Sequence, residues 1–100
     1  MINSIKVADL ELNSTTAEVK RADTRISLTS KELKLLEYLM MNKGKTLTRE
    51  MILETVWHYS PDIETRVVDV YIGYLKKKIE NDNSKKLIYS IRGSGYMIKD

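Results

Sequence analysis

The segment Arg66–Ile79, RVVDVYIGYLKKKI, constrains this chain more than any other, because its two sides make different demands. Val68, Ile72, Leu75 and Ile79 stand at i, i+4, i+7 and i+11, so they share one buried face of a helix expected over 65–81. The opposite side carries Arg66, Val70, Gly73, Tyr74 and Lys77, flanked by Val67, Tyr71 and Lys78. A helix face meant only for water shows charged and small polar residues, and this one shows valine, tyrosine and glycine. Gly73 gives up roughly 1 kcal/mol of helix propensity relative to alanine. Further on, SIRGSGY reads as a strand, a glycine turn and a second strand. Gly93 and Gly95 permit a tight turn, and Arg92 projects beside it.

The rest of the chain supplies a frame for these two pieces. Ile5, Val7, Leu10 and Leu12 alternate with polar residues, and stretches 17–20 and 25–28 read as two more strands around a turn at Ala22, Asp23 and Thr24. A four-stranded antiparallel meander over 5–28 is expected. Thr29 and Glu32 have the spacing of a capping box, followed by Leu33, Leu36, Leu39 and Met40 at helical spacing up to Gly44. Residues 45–48 return to extended chain, and Thr48 is placed to cap a second helix, Arg49–Trp57, with Ile52, Leu53 and Val56 inward. A loop over 58–62 contains Pro61, the sole proline. Residues 81–86 form a polar turn, and 87–92 pairs with 96–99 as a hairpin. The fold class expected is α+β, one domain over 1–100 with a sheet platform at 5–28, a three-helix core at 30–81 and a hairpin at 87–99.

Composition excludes whole classes of function. The chain has no cysteine and one histidine, His58, which removes thiolate chemistry and most histidine-based metal or catalytic sets. Glu32, Glu37, Glu50 and Glu54 are scattered without a paired-carboxylate pattern. There is no phosphate-binding glycine loop and no serine–histidine constellation. Neither an enzyme, a metal site nor a cofactor is expected. No apolar run reaches membrane-spanning length and the N-terminus lacks a signal-peptide core, so a cytoplasmic location away from membranes is expected. A formal charge of +3 permits a nucleic-acid partner without demanding one.

A two-faced basic helix beside a basic hairpin matches the way a winged helix-turn-helix holds double-stranded DNA. Each part has a second reading. Tyr71 and Tyr74 meet thymine methyls, sugars or a partner protein, or else pack on the hairpin or the sheet. Lys76, Lys77 and Lys78 complement the helix dipole, or together with Arg66 bracket the apolar strip with phosphate-binding charge. Arg92 suits a narrow minor groove, or else pairs with Asp69. Tyr96 fits a core aromatic with a polar tip, and Trp57 a core anchor whose N–H reaches outward. Three functions follow: sequence-specific DNA binding, a winged-helix protein–protein interaction module, or nonspecific architectural DNA binding.

Four stretches in order, LTSKELKLLEYL, LTREMILETVW, RVVDVYIGYLKKKI and IRGSGY, resemble the C-terminal effector domain of OmpR/PhoB-type response regulators over nearly the whole chain. The resemblance implies a two-component transcription regulator whose winged helix binds promoter DNA at direct repeats and contacts RNA polymerase. The resemblance also implies a receiver domain, which would lie outside these 100 residues. Control would come from that receiver and a sensor kinase, the isolated domain being a monomer that forms a tandem dimer on DNA. By position, Trp57, Arg66, Val67, Tyr71 and Lys76 would touch phosphate, and Val70 and Tyr74 would face bases. Ser90 and Tyr96 would approach the backbone from the wing and Arg92 would enter the minor groove. His58, Tyr59, Ser60, Pro61, Asp62, Ile63 and Glu64 correspond to the polymerase-contact loop. Relatives often carry basic residues where this chain has Gly73 and Tyr74, so an arginine–guanine contact is missing there and A·T-rich sites are expected.

Overall fold

A computed structural model of the chain describes residues 4–58, 64–80 and 85–100. Strands β1 (Ser4–Val7), β2 (Leu10–Asn13), β3 (Glu18–Arg21) and β4 (Thr24–Ile26) form an antiparallel meander in sequence order. Its turns are so short that Ala8, Ala17 and Ala22 take positive φ, at 53°, 61° and 54°. Val7, Leu10, Leu12 and Val19 point to one buried face, as the period-two pattern requires. The third and fourth strands differ in their boundaries from the sequence reading, β4 ending at Ile26 instead of Leu28. Ala17 belongs to the turn, which moves β3 one residue on, and Thr24 already pairs with Arg21. The shift places Arg21 opposite Leu10, on the buried face beside Val19.

Helix α1 (Ser30–Met41) starts with the expected capping box. Glu32 N donates to Thr29 Oγ1 at 3.3 Å, and Thr29 N donates to Glu32 Oε1 at 2.9 Å. Its buried side is Glu32, Leu35, Leu36, Leu39 and Met40, with Leu33 only half-buried. Helix α2 (Arg49–Trp57) is capped by Thr48 as expected, and His58 ends it in the left-handed conformation. Helix α3 (Arg66–Ile79) buries Val68, Ile72, Leu75 and Ile79. It begins one residue later than anticipated because Thr65, itself helical, makes no side-chain cap. It ends at Ile79, short of the expected Asn81, because Glu80 turns to extended backbone; residues 81–84 lie outside the described residues.

Strands β5 (Ile88–Ile91) and β6 (Gly95–Ile98) form the hairpin, in register Ile91↔Gly95 to Ile88↔Ile98. Leu47, from the α1–α2 connection, pairs with Tyr96 through two backbone bonds of 2.8 and 2.9 Å. This approach explains Gly95, since a Cβ there would lie 2.0 Å from the Leu47 carbonyl oxygen.

Arg21 joins the platform to the end of α3 and the approach to the hairpin. It is 5% exposed; Nε donates to Asp9 Oδ1 at 2.5 Å, and its terminal nitrogens donate to the carbonyls of Ile79 (2.8 Å) and Lys85 (2.6 Å). Glu80 completes the junction, its Oε2 accepting from the backbone N–H groups of Leu87 and Ile88, each at 2.8 Å. One buried arginine and one carboxylate thus hold the end of α3 and the start of the hairpin, satisfying backbone groups that a helix end leaves open.

Candidate nucleic-acid interface

Helix α3 presents its inner face to the core and leaves a mixed strip outside. Along that strip Arg66, Val70, Gly73, Tyr74 and Lys77 are all exposed, Val70 by 42% and Tyr74 by 51%. Val67 and Tyr71 pack partly against the core, and Lys76 is half-buried. Tyr71 is half-buried against the core and Tyr74 is half exposed, and their ring contacts run to α2 and to each other. Tyr71 stands edge-on to Trp57, ring centroids 5.1 Å apart, and Tyr74 edge-on to Tyr71 at 5.6 Å. Trp57 is half-buried beneath Lys31, whose Nζ lies 5.9 Å from the ring centroid and donates to the Val56 carbonyl at 3.0 Å. The result is an aromatic ladder from α2 to the outer face of α3.

The charged groups near this strip are only partly free. Arg66, 78% exposed, pairs with the equally open Glu64 at 2.7 Å, an ion pair that water and salt weaken. Lys78 reaches from α3 to α1 and donates to Glu32 Oε1 at 2.6 Å. Burial raises the Glu32 carboxyl's pKa, but the Lys78 bond and the Thr29 backbone N–H outweigh it and hold the group below its ordinary value. Lys77 and Arg92 are exposed and make no ion pair among the described residues.

Asp69 is the junction between helix and hairpin. Its Oδ1 accepts from Arg49 Nε at 2.8 Å and from the Tyr96 hydroxyl. Burial raises its pKa, and the bonds from Tyr96 and Arg49 more than reverse that. Desolvation and the adjacent carboxylate push the Tyr96 phenol up, so it remains a donor. The alternative pairing of Arg92 with Asp69 is therefore not made, because Arg49 occupies that carboxylate. Tyr96 is a buried aromatic whose hydroxyl is engaged inside the protein, and Ser90 is exposed on β5. Sequence reasoning missed Arg49, Lys31 and Arg21 as supports of this surface. Their partners are distant in sequence, and no local pattern reports them.

Of the polymerase-loop residues, His58 and Glu64 are exposed, and Tyr59, Ser60, Pro61, Asp62 and Ile63 lie outside the described residues. Among the described residues no cluster of histidine, cysteine and carboxylates could hold a metal ion, and no helix is long and apolar enough to cross a membrane.

A family model described as "Transcriptional regulatory protein, C terminal" matches residues 23–98. The uncharacterized transcriptional regulatory protein YkoG of Bacillus subtilis is 46% identical over 91 residues, which cover 91% of this chain and 40% of YkoG. The solved response regulator DrrB, a Thermotoga maritima OmpR/PhoB homolog, superposes with a TM-score of 0.86 at 37% identity, covering 98% of this chain and 45% of DrrB. The DNA-binding domain of Klebsiella pneumoniae RstA, solved in complex with its RstA box, superposes at 0.85 over 96% of both chains. At 24% identity that likeness shows the shared winged-helix fold. The chain thus spans less than half the length of YkoG and of DrrB.

Proposed function

The chain belongs to the OmpR/PhoB-type family of transcriptional-regulator C-terminal DNA-binding domains, and on that premise we propose that it is the effector of a two-component response regulator, acting inside the cell on promoter DNA. The observation that carries the reading is the exposed strip of α3, apolar between Arg66 and Lys77 and tied to the hairpin through Asp69 and Tyr96. A helix of this kind lies in the major groove, its apolar residues toward base edges and its cations toward phosphates. In this proposal Val70 and Tyr74 face bases across the gap at Gly73. Trp57, Arg66, Val67, Tyr71, Lys76 and Lys77 follow the backbone, Arg66 exchanging Glu64 for phosphate, and Lys78 lies near the backbone while still paired with Glu32. Arg92 enters the minor groove from the turn, with Ser90 near the flanking backbone and Tyr96 buried behind it, holding Asp69. The segment 58–64 meets RNA polymerase.

All 100 residues then act as one effector domain of platform, helical core and wing. A receiver domain elsewhere in the full protein, phosphorylated by a sensor kinase, would bring two copies onto direct repeats about one helical turn apart.

Titration of labelled duplex DNA across a salt series tests the proposal. Affinity should fall steeply with salt, and Arg66→Ala should weaken every sequence alike while lowering the logarithmic salt slope by about 1. Salt-insensitive behaviour without DNA retention would instead support the protein–protein interaction module.

A further inference from the structure

The strip between Arg66 and Lys77 lacks the groups that read most bases. Guanine is read by arginine or lysine, adenine by asparagine or glutamine, and cytosine by a carboxylate that accepts from its amino group. Val70 and Gly73 have no polar side-chain atom, and Tyr74 has only the hydroxyl at the far end of its ring. Asp69, the one carboxylate of α3, is committed to Arg49 and Tyr96. What such a surface complements in the major groove is the methyl group at C5 of a pyrimidine.

We propose that Val70 and the ring of Tyr74 form a reader of C5-methylated pyrimidines, which both thymine and 5-methylcytosine supply. The proposal rests on the DNA-binding reading above and names the chemistry it recognises. Gly73 supports it, because a Cβ there would meet nothing within 4 Å. Packing within the protein does not require that gap, whereas a base edge or sugar entering between Val70 and Tyr74 does. The ring of Tyr74 is also braced before any ligand arrives, edge-on to Tyr71, which is itself edge-on to Trp57. A side chain already held in place loses less entropy on binding.

The test uses the duplex that the domain itself recovers from a random pool. It is remade with deoxyuridine for thymidine under α3, and with cytosine or 5-methylcytosine at the same positions. Removing each contacted methyl should weaken binding about fourfold, the equivalent of about 0.8 kcal/mol. The 5-methylcytosine duplex should bind tighter than its cytosine counterpart by a similar factor. Tyr74→Phe should keep both differences, and Tyr74→Ala should abolish both while still binding DNA. Equal affinity of the unaltered domain for thymidine and deoxyuridine duplexes would overturn the proposal and leave DNA binding standing. A uracil penalty without a 5-methylcytosine gain would overturn its shared-methyl form. A domain that retains no duplex would overturn the DNA-binding reading and the proposal together.

Discussion

Arg21 and Glu32 are charged side chains almost wholly removed from water, and each ties together elements far apart in the chain. Arg21 reaches carbonyls 58 and 64 residues away, and Glu32 holds both the α1 cap and Lys78, 46 residues on. The cap was readable, since Thr29 and Glu32 are three residues apart. Arg21 was not, because in the strand EVKR a buried arginine looks like a solvent-facing one until the register is known. Arg21→Met should lower stability by about 2–4 kcal/mol in urea unfolding, since it leaves the Ile79 and Lys85 carbonyls without their donor and removes the ion pair to half-exposed Asp9. Glu32 and Asp69 also predict the acid limit. Both carboxyls lie below their ordinary values of 4.5 and 3.8 in the fold, so their stabilisation is complete above those values and disappears as pH falls through the lower folded ones. Unfolding midpoints followed from pH 6 to pH 2 should drop over that acid range, less steeply in a Glu32→Gln variant.

At the level of elements, α3 was the clearest because four buried residues at helical spacing leave one orientation open. The sheet was legible in its alternation and less so in its edges. Ala17 and Ala22, ordinary strand or helix residues by type, bend the chain at positive φ. Leu47 joining the hairpin was visible only as a short extended stretch, and Gly95 records that contact in its missing side chain. Gly95→Ala should therefore destabilise the hairpin by about 3 kcal/mol, combining overpacking with backbone strain at φ 151°. Thermal melts should show it, whereas Gly93→Ala, with open space around it, should be milder. The lysine run also divides by element. Lys77→Met should reduce the salt slope of DNA binding, while Lys78→Met should chiefly lower stability, since Lys78 already neutralises Glu32. Equal slope changes in both would show that DNA draws Lys78 away from α1.

Across the whole molecule, the platform, α3 and the hairpin are one connected body, with Arg21, Glu80 and Asp69 at the joints. The architecture and the outer strip of α3 could be read from periodicity and from motif order. The bracing behind that strip could not, because it depends on which rings and carboxylates meet after folding. In the DNA complex proposed above, such bracing would present Tyr74 to the duplex from a support that forms without DNA. Tyr74→Ala should accordingly change which duplex wins in competition, where Arg66→Ala lowers all alike. The measurement that tests this account most directly is selection of random duplex DNA by the purified domain at low salt, followed by sequencing of what it retains. The account predicts a recovered tandem repeat, rich in A·T under α3, whose retention is lost with Arg92→Ala. A retained pool with no enriched sequence, or one enriched in guanine under α3 and indifferent to Arg92, would contradict it.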